Sequence, residues 1–238
     1  MTMRDQHAVD VEALLLQTDW TGVEHCCPHT APDTPQILRE LLDDDPRVQG
    51  AALRDLRQVV THQNTFYPAT APAASFVAAV LGHPRTLALV TDQLRRQESP
   101  THDEDLFTLR AGLLDWLGDT VWDAGQERPD GMDEDIEAFR ALCPALYEAI
   151  QPLRADPDPT VRNAALAAVL PLLDLPELAG HAASLREDVR ALAAGDSSYR
   201  RRAIDVLASW GEDVWAFRRA ADTAADPYAG GCTEDPPF

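Results

Sequence analysis

The residues best suited to chemistry lie together near the start of the chain. Two histidines flank a pair of adjacent cysteines: His25, Cys26, Cys27 and His29. Imidazole nitrogens and thiolate sulfurs are the ligands that zinc prefers in proteins. Adjacent cysteines do not easily face one ion, however, and the sequence offers neither a Cys-x-x-Cys pair nor a distant histidine pair to complete a tetrahedron. We expect no metal and no other cofactor; zinc at this cluster is the alternative, which elemental analysis of the purified protein tests.

A second group of polar side chains lies between two helical patterns, at residues 62–70 (His-Gln-Asn-Thr-Phe-Tyr-Pro-Ala-Thr). Here four side chains could present polar groups at one edge of a groove, and they are candidate partner-binding residues: His62, Gln63, Asn64 and Tyr67. The more ordinary interpretation is that the segment only satisfies the ends of the flanking helices. In that case Thr70 caps the following helix and Tyr67 packs against the fold.

Acidic side chains gather at residues 43–45, 103–105 and 130–137. Paired carboxylates can do acid–base chemistry or hold a hard cation. Each cluster lies at a predicted helix start, where negative charge interacts favourably with the helix dipole, so we interpret the clusters as structural. Surplus acid on one face would still attract Lys and Arg of a partner. Asp103, Glu104 and Asp105 are therefore candidate partner-binding residues.

Two tryptophans, Trp116 and Trp215, fall off the main apolar stripes of their predicted helices. An exposed tryptophan is a common anchor in protein interfaces. Packing between helices is the commoner role, but we include Trp116 among the candidate partner-binding residues.

The balance of charge restricts the partners. The chain of 238 residues has 20 basic and 40 acidic side chains, a formal net charge of -20. Such a surface repels the phosphates of nucleic acids and anionic membranes, whereas it attracts a basic protein. The sequence has no apolar run of the ~20 residues that span a bilayer and no signal-peptide hydrophobic region at its start. We expect a cytoplasmic protein that binds neither nucleic acid nor membrane.

Hydrophobic periodicity predicts helices. Four segments repeat apolar residues on one helical face, beginning at Val48, Leu106, Val161 and Tyr199. Three of them follow Asp, Pro or Ser residues that suit a helix start. Further helices are predicted at residues 71–81, 85–97, 133–153 and 178–194. Sustained alternation with a period of two is absent from the sequence, so we predict no strand.

The helix starts at residues 45–48 (Asp-Pro-Arg-Val) and 158–162 (Asp-Pro-Thr-Val-Arg) give the chain a resemblance to bacterial HEAT-like repeat proteins. The spacing from Val161 to Tyr199, 199 − 161 = 38 residues, is close to one two-helix unit. Residues 62–70 resemble a His-Gln-Gly-x-x-Tyr-x-Ala-Thr segment found between helices in a subset of these proteins, with Asn64 in place of the glycine. The resemblance implies a scaffold or adaptor, and some relatives look like immunity proteins that neutralise toxins.

The expected fold is all-α, an irregular HEAT/armadillo-like solenoid of about 9–11 helices. We expect an N-terminal helix and proline-containing linker at 1–35, the solenoid at 36–221 and a mobile tail rich in acid, glycine and proline at 222–238.

The function that the sequence favours is a non-enzymatic protein-binding scaffold or adaptor with an acidic surface. An immunity protein that neutralises a basic toxin is one form of it. Nucleophile-elbow, phosphate-loop, dinucleotide and His-Glu-x-x-His motifs are all missing from the sequence. The alternatives are a helical-repeat enzyme of the glycosylase or lyase kind, and a small-molecule sensor.

Overall fold

A computed structural model describes residues 10–29, 32–91, 106–126 and 134–219. These residues are mostly helical, as the sequence predicts. The chain divides into two compact units, Met1–Gly180 and His181–Phe238. No helix in the described part of the chain has the length together with the apolar composition that a bilayer crossing requires.

Eight α-helices are described in the first unit. They are α1 (Val11–Leu15), α2 (Thr34–Glu40), α3 (Pro46–Asp55), α4 (Thr70–Val80), α5 (Leu109–Gly125), α6 (Glu134–Arg140), α7 (Cys143–Ile150) and α8 (Pro159–Val169). Shorter helical turns of 3-10 type are His62–Asn64, Pro84–Leu87, Gln151–Ala155 and Pro171–Asp174, and Leu56–Val60 is a π-helical turn.

The starts of α3 and α8 share one capping arrangement. The carboxylate of Asp45 accepts a hydrogen bond from the Arg47 amide at 2.9 Å, and that of Asp158 accepts one from the Thr160 amide at 2.8 Å. A proline follows each cap in the first helical turn, where its missing N–H is harmless. These two helix starts confirm the sequence prediction.

The single helix predicted at 133–153 is wrong in detail. The described residues form α6 and α7, separated at Ala141 and Leu142, with a 3-10 turn after α7. Pro144 explains the interruption, because a proline has no N–H and its ring clashes with the carbonyl four residues earlier in a continuous helix.

Two short strands contradict the prediction of none. β1 (Leu89–Thr91) pairs antiparallel with β2 (Leu106–Thr108), with Val90 opposite Phe107. Three residues are too few to show the alternation by which strands are recognised. The described part of the helix predicted at 85–97 is instead the 3-10 turn Pro84–Leu87 followed by β1. The stripe predicted from Leu106 begins in β2 and becomes helical at Leu109.

The core of the first unit surrounds α5. Twelve of its 17 residues are buried, so α5 is enclosed on nearly every side. It packs against α3, α6, α8 and β2. Gly112 permits the approach to α3, because a β-carbon there would lie 2.6 Å from Cδ2 of Leu53 and 2.7 Å from Cε2 of Phe107.

In the described part of the second unit, α9 (Ala182–Ala194) and α10 (Arg200–Ser209) pack on each other, and residues 215–219 are also helical. A 3-10 turn, Ala179–His181, precedes α9 in the sequence. The chain after α10 is tied back by Glu212, whose carboxylate lies 2.7 Å from Nη1 of Arg186 and 2.7 Å from Nε of Arg190 on α9.

Candidate functional site

A distorted end of α3 produces the most unusual backbone in the described residues. The helix continues as the π-helical turn Leu56–Val60 and then enters the 3-10 turn His62–Asn64, called here the left-handed turn. Gln63 has φ 50° and ψ 44°, and Asn64 has φ 60°. Residues with a β-carbon adopt this conformation at a cost of roughly 1–2 kcal/mol, with Asn among the few exceptions. Two such residues in succession must be held in place by their surroundings.

On its N-terminal side the left-handed turn is anchored through Thr61. The indole Nε1 of Trp116, on α5, donates a hydrogen bond to Thr61 Oγ1 at 3.0 Å. Thr61 Oγ1 in turn donates to the carbonyl of Arg57 at 3.4 Å. Nδ1 of His62 lies 3.0 Å from the carbonyl oxygen of Gln58, so this nitrogen carries the proton, because a carbonyl can only accept.

On its C-terminal side the anchor is aromatic. Phe66 is buried, and its ring meets Phe139 of α6 edge-on, with 5.3 Å between the ring centroids. Aromatic rings favour this geometry because the positive edge of one faces the negative face of the other. The two anchors leave the residues between them exposed: Gln63, Asn64 and Thr65.

Thr70 closes the loop and does not cap α4, which corrects the capping interpretation. Its Oγ1 donates to the carbonyl of Val60 at 2.8 Å and accepts from the amide of Tyr67 at 3.0 Å. The N-cap residue of α4 is Ala69, which makes no side-chain capping bond. Thr70 therefore joins the end of the π-helical turn to the loop that follows it.

The segment at residues 24–27 lies across this loop. The amide of Cys26 donates to the carbonyl of Val59 at 3.1 Å, and the amide of Ala69 donates to the carbonyl of Glu24 at 3.2 Å. Burial, and after it a hydrogen bond with the side chain of Cys26, raises the pKa of Tyr67. The sequence showed only a proline-containing stretch without a stripe here, and no local signal reveals hydrogen bonds over this separation.

The histidine and cysteine cluster is compact. Sγ of Cys27 lies 3.3 Å from Sγ of Cys26, and the amide of Cys27 donates to Nδ1 of buried His25 at 3.3 Å. Burial lowers the pKa of His25, against the raising effects of Asp33 and of a hydrogen bond to the backbone of Pro32. Across the four described ranges, no three His, Cys, Asp or Glu side chains converge as a metal site would need.

Trp116 is not an exposed anchor. Only 2% of its surface is accessible, because it lies on the enclosed helix α5 with its N–H directed at Thr61. Trp215 is the exposed one of the pair, at 62%. Its ring lies under the guanidinium of Arg219, 4.6 Å from the ring centroid.

The acidic candidates divide by position. Asp103, Glu104 and Asp105 lie outside the described residues. In the first cluster, Asp45 caps α3 and the carboxylate of Asp43 accepts a hydrogen bond from the amide of Asp45 at 2.8 Å. These two acids stabilise the chain at a helix start, as the structural interpretation expects.

Comparisons with protein-family models, with curated proteins and with solved structures give no match for this chain. The function must therefore be inferred from the geometry of the site. That geometry consists of an exposed polar tip in an unfavourable backbone conformation, an anchor on each side of it at Thr61 and Phe66, and a pair of thiols beside Tyr67.

Proposed function

We propose that this chain is a non-enzymatic protein-binding scaffold or adaptor, and that the exposed tip of the left-handed turn contacts its partner. The observation that carries the proposal is the pair of left-handed residues, Gln63 and Asn64, held exposed between Thr61 and Phe66. Backbone strain persists only where the surrounding structure imposes it, and it is concentrated at binding and catalytic sites. A rigid polar tip loses little conformational entropy when it binds.

The packing of the helices supports a HEAT-like repeat architecture. Helix α5 contacts both α3 and α8, and these three helices carry the stripes recognised in the sequence. Helix α4 contacts α2, α6 and α7. Stacked two-helix units produce two such rows of neighbouring helices, because each unit contacts only the next unit.

The conformation of Asn64 supports the resemblance at residues 62–70. The related segments have glycine at this position, and a φ of 60° is a conformation that glycine adopts freely. Asparagine is the non-glycine residue best able to replace it. The departure from the pattern therefore preserves the turn.

The charge indicates the class of partner. A chain with a formal net charge of -20 attracts and orients a basic protein, and repels nucleic acid and anionic lipid. We propose a basic protein partner in the cytoplasm; a toxin that this chain neutralises as an immunity protein is the specific form. Association should then slow markedly as salt is raised.

The experiment has two steps. First, the full chain is immobilised on a resin, and an extract of the cells that make it is passed over the resin. The retained proteins are then identified by mass spectrometry. Second, the dissociation constant of the purified partner is measured for the wild type, for Gln63→Ala and for Gln36→Ala. Gln36 is the matched control, an exposed glutamine on α2.

We expect Gln63→Ala to weaken binding by about tenfold, ~1.4 kcal/mol, and Gln36→Ala to leave it unchanged, with melting temperatures close to that of the wild type. Equal affinities for the three proteins would remove the tip from the interface. An extract that yields no basic partner would count against the adaptor function itself.

A further inference from the structure

The two thiols of Cys26 and Cys27 are fixed side by side at 3.3 Å. The backbone on each is held separately, since the Cys26 amide donates to Val59 and the Cys27 amide donates to the ring of His25. Both residues are half-buried, so a small reagent can reach them while bulk solvent is partly excluded. The fold thus places two soft nucleophiles, the sulfurs of Cys26 and Cys27, next to each other.

A disulfide and a zinc site both fit this arrangement poorly. Neighbouring Cα atoms are ~3.8 Å apart across a trans peptide, whereas disulfides span ~4.4–6.8 Å, so a direct bond between Cys26 and Cys27 would be strained. Zinc is tetrahedral with Zn–S bonds of ~2.3 Å, which sets two sulfurs ~3.8 Å apart and requires two further ligands. The described residues supply no third His, Cys, Asp or Glu ligand at this point.

A separation of 3.3 Å suits one bridging atom with a near-right-angled geometry. Bonds of ~2.3 Å, the length of a zinc–thiolate bond, then subtend ~90° at the bridging atom. Trivalent arsenic has this shape, because its lone pair compresses the three bonds toward right angles, and it is strongly thiophilic. We propose that Cys26 and Cys27 form a binding site for trivalent arsenic, in which both sulfurs bond to a single arsenic atom.

The reaction needs no oxidant and no reductant. An arsenical of the form R–As=O reacts with two thiols to give R–As(S-Cys)₂ and one water. Both S–H bonds and the arsenic–oxygen bonds break, two arsenic–sulfur bonds form, and the oxygen leaves with the two protons. Arsenic stays trivalent throughout.

Tyr67 gives this site a link to the left-handed turn. Cys26 raises the pKa of Tyr67, so the two side chains lie close together, and the amide of Tyr67 donates to the hydroxyl of Thr70, which closes the loop. A hydroxyl beside a sulfur fixes the direction in which that sulfur points. Tyr67 is therefore a positioning residue for the sulfur of Cys26.

The test uses phenylarsine oxide on the full chain carrying Cys232→Ser, because Cys232 lies outside the described residues. Cys143 remains as an internal reference. It is buried, and burial raises the pKa of its thiol to about 11, so it is unreactive in the folded protein. Intact-protein mass spectrometry should show one phenylarsenic group per chain, with loss of two hydrogens, and a dithiol such as 2,3-dimercaptopropanol should reverse it.

Three comparisons make the result decisive. Cys26→Ser and Cys27→Ser should each weaken binding by at least about tenfold while circular dichroism shows an unchanged fold. The native chain should bind at least about tenfold more tightly than the same chain unfolded in urea, where the cysteines are adjacent but not oriented. Tyr67→Phe should leave the stoichiometry and the circular dichroism unchanged and slow the reaction with phenylarsine oxide.

Uptake that is unchanged in the serine variants would overturn the proposal. So would equal affinity in the native and the unfolded chain, because the fold would then contribute nothing. Stoichiometric zinc binding that depends on both cysteines would replace the arsenic assignment with a metal site. A Tyr67→Phe reaction rate equal to that of the wild type would overturn the positioning role of Tyr67.

Discussion

The guanidinium of Arg110 and the carboxylate of Asp156 form an ion pair inside the first unit. Nη1 lies 3.0 Å from Oδ2, and the two side chains are 9% and 8% exposed. Nε of Arg110 also donates to Thr86 Oγ1 at 3.1 Å, and the amide of Asp158 donates to the other oxygen of Asp156 at 2.9 Å. The pair and its hydrogen bonds therefore link the start of α5 to Thr86, which precedes it in the chain, and to Asp158, which follows it.

Removing one partner of this pair should be far more damaging than removing both. Asp156→Ala leaves a buried guanidinium uncompensated, and we expect a loss of about 3–5 kcal/mol in the free energy of unfolding. The double variant Arg110→Met/Asp156→Leu should lose much less, because no charge remains buried. Urea denaturation followed by circular dichroism measures both.

An exposed ion pair serves as the control. Glu12 and Arg39 meet at 2.9 Å, with side chains 62% and 49% exposed, so Glu12→Ala should change the free energy of unfolding very little, because solvent screens an exposed pair. A cost for Asp156→Ala as small as that for Glu12→Ala would show that the buried pair contributes no more than a surface one.

Gly112 should resist substitution although alanine favours a helix. A methyl group there would lie within contact distance of buried Leu53, and overpacking costs roughly 1–3 kcal/mol against a propensity gain of ~1 kcal/mol. We expect Gly112→Ala to destabilise the protein by about 1 kcal/mol. Gly125→Ala, at the open end of the same helix, should be neutral or slightly stabilising. Thermal unfolding of the two variants compares them directly, and equal melting temperatures would mean that α3 gives way to the added methyl.

Substitutions in the left-handed turn should change stability and partner affinity independently. Gln63→Gly removes the β-carbon that makes φ 50° costly, so we expect an unfolding free energy equal to the wild type or higher by about 0.5–1 kcal/mol. Asn64→Val should lose about 1–2 kcal/mol, because a β-branched residue is poorly tolerated at φ 60°.

Partner affinity should fall for Gln63→Gly even though stability does not. Isothermal calorimetry on the partner identified above, alongside urea denaturation, gives both quantities for the same sample. A variant that gains stability and keeps its affinity would show that the turn is only a structural element.

Glu212 should make the second unit sensitive to acid. Hydrogen bonds from Arg190 most strongly, and then from Arg186, hold the pKa of this carboxyl below its ordinary value. Since the folded pKa is lowered, the stabilisation is fully present above the unfolded pKa of ~4.3 and is lost as the pH falls through the folded pKa. The difference in unfolding free energy between wild type and Glu212→Gln should therefore shrink below about pH 4.3.

Urea titrations read by tryptophan fluorescence can follow this difference, since Trp210 lies 5.5 Å from the Arg186 guanidinium. Comparing two proteins at each pH cancels the contribution of the other carboxylates. A difference that stays constant between neutral and acid pH would contradict the assignment.

The sequence predicted those parts of the fold that local chemistry determines. Asp45 and Asp158 are caps because their oxygens reach amides only two residues away, and this spacing can be read in the chain. The position of Trp116 could not be read in this way. It falls off one stripe, but α5 is enclosed on nearly every side, so a position off the stripe is still inside.

The sequence predicts which residues form the site but not their backbone conformation. The polar residues at 62–64 were named as candidates, and Gln63 and Asn64 are exposed. Their left-handed backbone depends on Thr61 and Phe66, whose partners lie on α5 and α6, and such contacts leave no trace in a local pattern. The approach of Cys26 to Tyr67 has the same origin.

The hydrogen bonds from residues 24–27 to Val59 and Ala69 have a practical bearing on any attempt to trim this protein. A shortened chain starting at residue 36 would deprive the Val59 carbonyl and the Ala69 amide of their hydrogen-bond partners and would remove Cys26 from beside Tyr67. A shortened chain that keeps both hydrogen bonds must therefore begin at or before Glu24. Residues 24–27 thus help to hold the loop that follows the left-handed turn, although their sequence carries no helical stripe.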